Sequence, residues 1–131
     1  VILLDTHALV WWLNQDERLS AAAKTGISHE TPSGQILVSA ISVWEIAMLE
    51  RASRLQLAYD VKTWIATIRN LNFVNFVPVD EDIALGAVML PDDFHKDPTD
   101  RIIVATARKF GAPIVTADGK IRDYRHVRTI W

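Results

Sequence analysis

The chain has 131 residues, half of them hydrophobic, with 14 basic and 16 acidic side chains and a formal charge of −2. That length suits one domain with a sizeable core, and the near-neutral balance excludes a general basic surface that binds nucleic acid by charge alone. The absence of cysteine excludes a disulfide framework, a thiolate zinc site and a cysteine nucleophile, and fits a reducing cytosol.

Val1 to Leu4 is a continuous apolar run, as expected of a strand buried on both faces. It stops at Asp5, too short for a signal peptide or a membrane span, so a cytoplasmic protein without membrane contact is expected. Ala8 to Leu13 reads as a short, Trp-rich helix. Asp16 to about His29 reads as a second helix, with Leu19, Ala22, Ala23 and Ile27 as its inner stripe. Thr31-Pro32-Ser33-Gly34 is a loop. Ile36 to Val38 is another buried strand, after which Ser39 or Ser42 caps a helix running to about Ala52. Asp60 caps a helix over Val61 to Asn70. Phe73 to Val77 is a strand closed by Pro78, and Asp80 caps a helix from Glu81 to about Leu90. The acid-rich loop Pro91 to Lys96 leads to Asp97-Pro98-Thr99-Asp100, which opens a helix that runs to Phe110 and stops at Gly111. Pro113 to Thr116 is a strand, Asp118-Gly119 turns the chain, and Val127 to Ile130 is a last short strand.

Short apolar strands alternating with helices predict an α/β fold with a mainly parallel central sheet in a single domain, 1–131. Ligands of such sheets bind outside the carboxyl ends of the strands. Asp5 directly follows the first strand and Asp118 follows Ile114-Val115-Thr116 by one residue, so both belong at that edge. Each also has a local explanation, Asp5 as a helix cap and Asp118 as a turn residue. Glu45 has Ile41, Ser42, Met48 and Leu49 three and four positions away, which sets it on or beside an apolar face. An unpaired buried carboxylate costs several kcal/mol, so it must be neutralised, paired or bound to a cation. Asp97 has the chemistry of an N-cap, whereas Asp100 shares its helical face with Ile103, Val104 and Ala107. Asp97 is therefore assigned chiefly to the cap and Asp100 chiefly to the site.

Crowded carboxylates repel one another, and a hard cation such as Mg²⁺ or Mn²⁺ relieves this with oxygen ligands. A metal so held can polarise a phosphoryl oxygen and deprotonate a water. The residues alone thus reach a metal-dependent hydrolase or transferase acting on phosphate esters. His7 and His95 each lie two residues from an acid but lack zinc-like spacing, and read as polar surface or supporting residues. Trp11, Trp12, Trp44 and Trp64 read as core or interface.

The order of these segments resembles the PIN-domain ribonucleases, and among them the VapC-type toxins of prokaryotic toxin–antitoxin pairs. The resemblance is carried by Leu3 to Leu13 (LLDTHALVWWL), Ser42 to Ala47 (SVWEIA), Asp97 to Ala107 (DPTDRIIVATA) and Val115 to Asp118 (VTAD). It implies a three-layer α/β/α sandwich and cleavage of single-stranded or structured RNA at an acidic cluster holding Mg²⁺ or Mn²⁺. By motif match, Asp5, Glu45, Asp100 and Asp118 are the four acids, with Asp97 as a competing metal ligand. Thr116 and Thr6 support them, and Arg101 is a phosphate contact or an exposed helix-surface arginine. The resemblance further implies a homodimer and a cognate antitoxin, in a heterotetramer or larger assembly. His7 departs from the Asn that many PIN domains carry there. Two rival readings are a non-catalytic PIN-like RNA- or protein-binding module and a phosphotransfer domain. The second lacks the Asp-x-Asp or the late Lys that such domains use.

Overall fold

β1 (Ile2–Leu4) is the central strand of a five-stranded sheet in the computed structural model, which describes residues 1–131. The other strands are β2 (Ile36–Ser39), β3 (Val74–Val77), β4 (Ile114–Val115) and β5 (Thr129–Ile130). The order is β3-β2-β1-β4-β5, and every neighbouring pair is parallel. The helices are α1 (Thr6–Leu13), α2 (Ala21–Glu30), α3 (Ala40–Arg51), α4 (Val61–Arg69), α5 (Glu81–Val88), α6 (Pro98–Phe110) and α7 (Gly119–Arg122).

β1 shows why the sheet is covered on both sides. Ile2 and Leu4 point into a core shared with α1, α2 and α4, whereas Leu3 points into a second core shared with α5, α6 and α7. A strand alternates its side chains between faces. Its unbroken apolar run therefore requires helices on both faces, which makes the three-layer sandwich.

The helices begin where the sequence offers caps. Asp5, Ser20, Ser39, Asp60, Asp80 and Asp97 each accept a backbone N–H of the following turn. Gly111 ends α6 with φ +61°, a left-handed conformation that glycine adopts without strain.

Three expectations need correction. The second helix starts at Ala21, not Asp16, because Ser20 caps it and Asp16 instead pairs with Arg18. The Thr31–Ser33 segment forms a single 3₁₀ turn rather than an irregular loop. Asp118-Gly119 opens the short helix α7, because Asp118 caps it.

Because all strands run the same way, their carboxyl ends share one edge. β2 and β3 lie to one side of β1, and β4 and β5 to the other. The chain therefore reverses direction across the sheet between β1 and β4, and a crevice opens at such a switch point. Asp5 and Thr116 are the residues immediately after those two strands.

Candidate active site

Asp5 stands at this crevice and is 6% exposed. One carboxylate oxygen accepts the Ala8 N–H at 2.9 Å and so caps α1. The other accepts the Thr116 hydroxyl. Thr116 Oγ1 in turn accepts the Asp118 N–H at 3.0 Å. A single buried hydroxyl thus ties the acid of β1 to the segment after β4. Asp118 Oδ1 caps α7 by accepting the N–H groups of Lys120 and Ile121 at 2.8 and 3.3 Å. Capping and site placement are therefore not competing explanations for Asp5 or Asp118, since the caps orient both carboxylates. Burial raises the pKa of the Asp5 carboxyl. The Thr116 and Ala8 hydrogen bonds and nearby His7 oppose that rise, and the Asp118 charge adds to it.

Asp100 lies in the first turn of α6 and is half-buried. Burial and then the charges of Asp97, Asp118, Glu45 and Asp5 push its pKa up to about 7. Asp97 is a local neighbour, whereas Asp118, Glu45 and Asp5 reach this carboxyl from three distant segments of the chain. His95 Nε2 is buried 3.0 Å from Asp100 Oδ2, at an angle that makes no hydrogen bond, and has no other partner. Asp97 is exposed and uses Oδ1 to cap α6 through the Asp100 N–H at 3.2 Å. His95, Asp97, Asp100, Asp118, Gly119, Lys120 and Asp123 line an open depression of about 570 Å³. No three acidic or histidine side chains close around one point as a preformed cage.

Glu45 stands beside the apolar face rather than on it. It is half-buried and Met48 is 50% exposed, so its face of α3 is a rim rather than core. The inward positions of α3 are Ser42 and Ile46, and Glu45 stands on their shoulder. It enters none of the ion pairs. The Thr6 hydroxyl donates to Ser42 Oγ at 2.9 Å in a buried bond, fastening α3 to the start of α1. Ser42 lies one turn before Glu45, so this bond sets the distance between Glu45 and Asp5.

Arg101 is not an exposed surface arginine. It is half-buried, and its guanidinium donates to the carbonyls of Ala87, Val88, Phe94 and His95. It holds the loop that carries His95 against α6. Arg101→Ala is expected to destabilise the fold by about 2–4 kcal/mol, because four carbonyls lose a charged donor. Thermal denaturation checks this, and an unchanged melting temperature would show that the loop stands without it.

Sequence reasoning missed three participants. Ser42 looked only like an alternative cap. His95 was read as polar surface or a supporting residue, and its burial against Asp100 was not foreseen. Lys120 was hidden because Asp118-Gly119 read as a plain turn.

Asp5 and the segment carrying Asp118 thus sit at the switch point of an all-parallel sheet covered by helices on both faces, the architecture of an α/β sandwich. The sequence matches the PIN domain over residues 2–127. It is 39% identical to ribonuclease VapC22 of Mycobacterium tuberculosis over 132 residues, 99% of this chain and 98% of that one. Among solved structures, VapBC2 of Rickettsia felis, crystallised with a DNA fragment from its promoter, superposes with TM-score 0.71 at 13% identity. It covers 98% of this chain and 96% of its own. VapC20 of M. tuberculosis, a toxin that cleaves the sarcin–ricin loop, superposes with TM-score 0.67 at 21% identity over 98% and 99% of the two chains. The chain belongs to the PIN-domain family, in its VapC branch.

Proposed function

We propose that this single PIN domain is an endoribonuclease, the toxin of a type II toxin–antitoxin pair, that hydrolyses phosphodiester bonds in single-stranded or structured RNA with Mg²⁺ or Mn²⁺. The observation that carries the proposal is the buried Asp5–Thr116–Asp118 hydrogen-bonded link beside the depression that Asp97, Asp100 and Asp118 line. The ribonuclease name of the 39% identical relative supports the same activity.

The residues present fit a hard divalent cation. Every acidic donor is a carboxylate oxygen; burial and then like charges lift Asp100 to about 7, and a cation relieves the repulsion among them. Asp5, Asp100 and Asp118 would hold it, with Asp97 in a lesser role because its Oδ1 already caps α6. When bound, the cation supplies Lewis acidity toward a phosphoryl oxygen and toward water. Glu45 orients the attacking water and takes its proton. Thr116 keeps the Asp5 carboxylate in place, and the Thr6–Ser42 bond keeps Glu45 at its distance from it.

A cognate antitoxin silences the site in the cytoplasm, in keeping with the toxin–antitoxin character of the structural neighbours. A homodimer, assembling further with the antitoxin into a heterotetramer or larger particle, covers apolar side chains such as Trp44 and Met48. They stand one turn apart on α3, 56% and 50% exposed.

The test is cleavage of pooled RNA by antitoxin-free protein with Mg²⁺, with Mn²⁺ and with chelator, followed by sequencing of fragment 5′ ends. The expected result is metal-dependent cutting at a few defined positions. Protein that binds metal yet leaves every RNA intact would instead be a non-catalytic binding module.

A further inference from the structure

A cluster of acids repels a polyanion, and the net charge of −2 provides no general attraction to offset this. A nuclease of this kind needs a local feature beside the acids that holds the strand. The cleft along α1 meets that need. It is a concavity of about 450 Å³ lined at one end by Thr6 and His7, the two residues that follow Asp5. His7 is close enough to Asp5 to influence its charge.

Its walls have the chemistry of a nucleotide site. The His7 ring is exposed, with its centroid 5.8 Å from that of Trp11. The Arg18 guanidinium lies over the Trp11 ring, 4.9 Å from its centroid, and Asp16 holds it there through a 2.7 Å bond. Trp11 itself is braced by Trp131 at 5.8 Å. A histidine ring and a guanidinium plane, both supported by one indole, are surfaces on which an unpaired base stacks. Arg54, across the cleft, is exposed and enters no ion pair, so its charge is free for a phosphate. The Asn14 amide at the rim offers a donor and an acceptor to a base edge.

We propose that this cleft binds one nucleotide of single-stranded RNA next to the scissile phosphodiester, with its base stacked on His7 and the Arg18–Trp11 pair and its phosphate on Arg54. The proposal rests on the ribonuclease reading for its substrate class. It explains how a chain without a basic surface engages RNA. Asp16 fixes Arg18 in place and acts as a positioning residue.

The test separates binding from cutting. The protein is labelled with 5-fluorotryptophan, and the Trp11 resonance is assigned as the one missing from Trp11→Phe. Short oligoribonucleotides are then titrated into the labelled protein in the presence of chelator, which prevents cleavage. The expected result is that the Trp11 resonance shifts while that of Trp44 does not. Arg54→Glu is expected to weaken RNA affinity about tenfold or more. With Mn²⁺ present, the same variant should raise KM and leave kcat within about threefold. Arg54 lies on the surface, so the variant is expected to fold, and its melting temperature verifies this. RNA binding that leaves Trp11 unmoved, or an Arg54→Glu variant with wild-type affinity, overturns the proposal. A Trp11 resonance moved only by an antitoxin peptide also overturns it, and assigns the cleft to a protein partner. RNA that moves Trp11 but is never cut under any metal condition sinks the nuclease reading and leaves the subsite standing.

Discussion

Asp5→Asn is expected to abolish metal-dependent RNA cleavage, with a loss of about a thousandfold or more, while the fold survives. The substitution is nearly isosteric. Its carbonyl oxygen still caps α1 by accepting the Ala8 N–H, and Asn is among the best capping residues. The Thr116 hydroxyl, which now donates to Asp5, can rotate to accept from the new amide. The variant loses a negative charge that burial already disfavours. The metal-free variant is therefore expected to melt no lower than wild type. The stabilisation that millimolar Mn²⁺ gives the wild type should shrink or vanish, because binding to the native state is what raises its melting temperature. Cleavage assays and thermal melts with and without Mn²⁺ check both halves. Wild-type activity in Asp5→Asn would remove Asp5 from the site. A collapse of the metal-free melting temperature would reassign it to structure alone.

Asp100 is expected to make metal-free protein less stable as pH rises from about 4 to about 7. Its carboxyl moves from an ordinary 3.8 to about 7 in the folded chain. Between those values the native state holds a proton that the unfolded chain has lost, so raising the pH favours unfolding. The penalty is complete above about pH 7, where Asp100 itself carries charge in the folded chain. Asp100→Asn removes this slope, and at pH 8 it is expected to raise the metal-free melting temperature by roughly 5–10 °C, the equivalent of about 2 kcal/mol. Metal binding has the opposite dependence. A proton competes with the cation for Asp100, so affinity for Mn²⁺ should fall about tenfold per pH unit below 7. Calorimetric titration of Mn²⁺ at several pH values measures this. A wild-type affinity independent of pH between 5 and 8 would separate Asp100 from the metal.

Much of the fold was legible because local signals and tertiary needs agree. β1 is apolar at every position because both its faces are covered, and that shows in the run Val1 to Leu4. The capping residues Ser39, Asp60, Asp80 and Asp97 sit where a polar side chain meets the start of a helix, and each placed a boundary within a residue or two. Asp118 was harder, because Asp-Gly serves a turn and a short helix equally well. Arg101 was misjudged because its position after Asp100 says nothing of the carbonyls that a distant loop presents to it. Glu45 was read as lying on or beside an apolar face, and it stands beside the inward positions Ser42 and Ile46. Hydrophobicity in the sequence does not reveal that this side of α3 is left uncovered.

The sequence by itself determined the alternation of strands and helices, the parallel sheet, the acids at its edge and the family to which they belong. Only the tertiary structure decided how those acids relate. The strand order sets β4 beside β1, so Thr116 can hold Asp5 and Asp118 together across 111 and two residues of chain. The Thr6–Ser42 bond fastens the helix that carries Glu45 to the start of α1, and the Arg101-anchored loop delivers His95 to Asp100. The physical reason is range. Caps, turns and apolar runs act within a few residues, whereas the burial of Asp100 and the charges of Asp118, Glu45 and Asp5 beside it exist only in the folded chain.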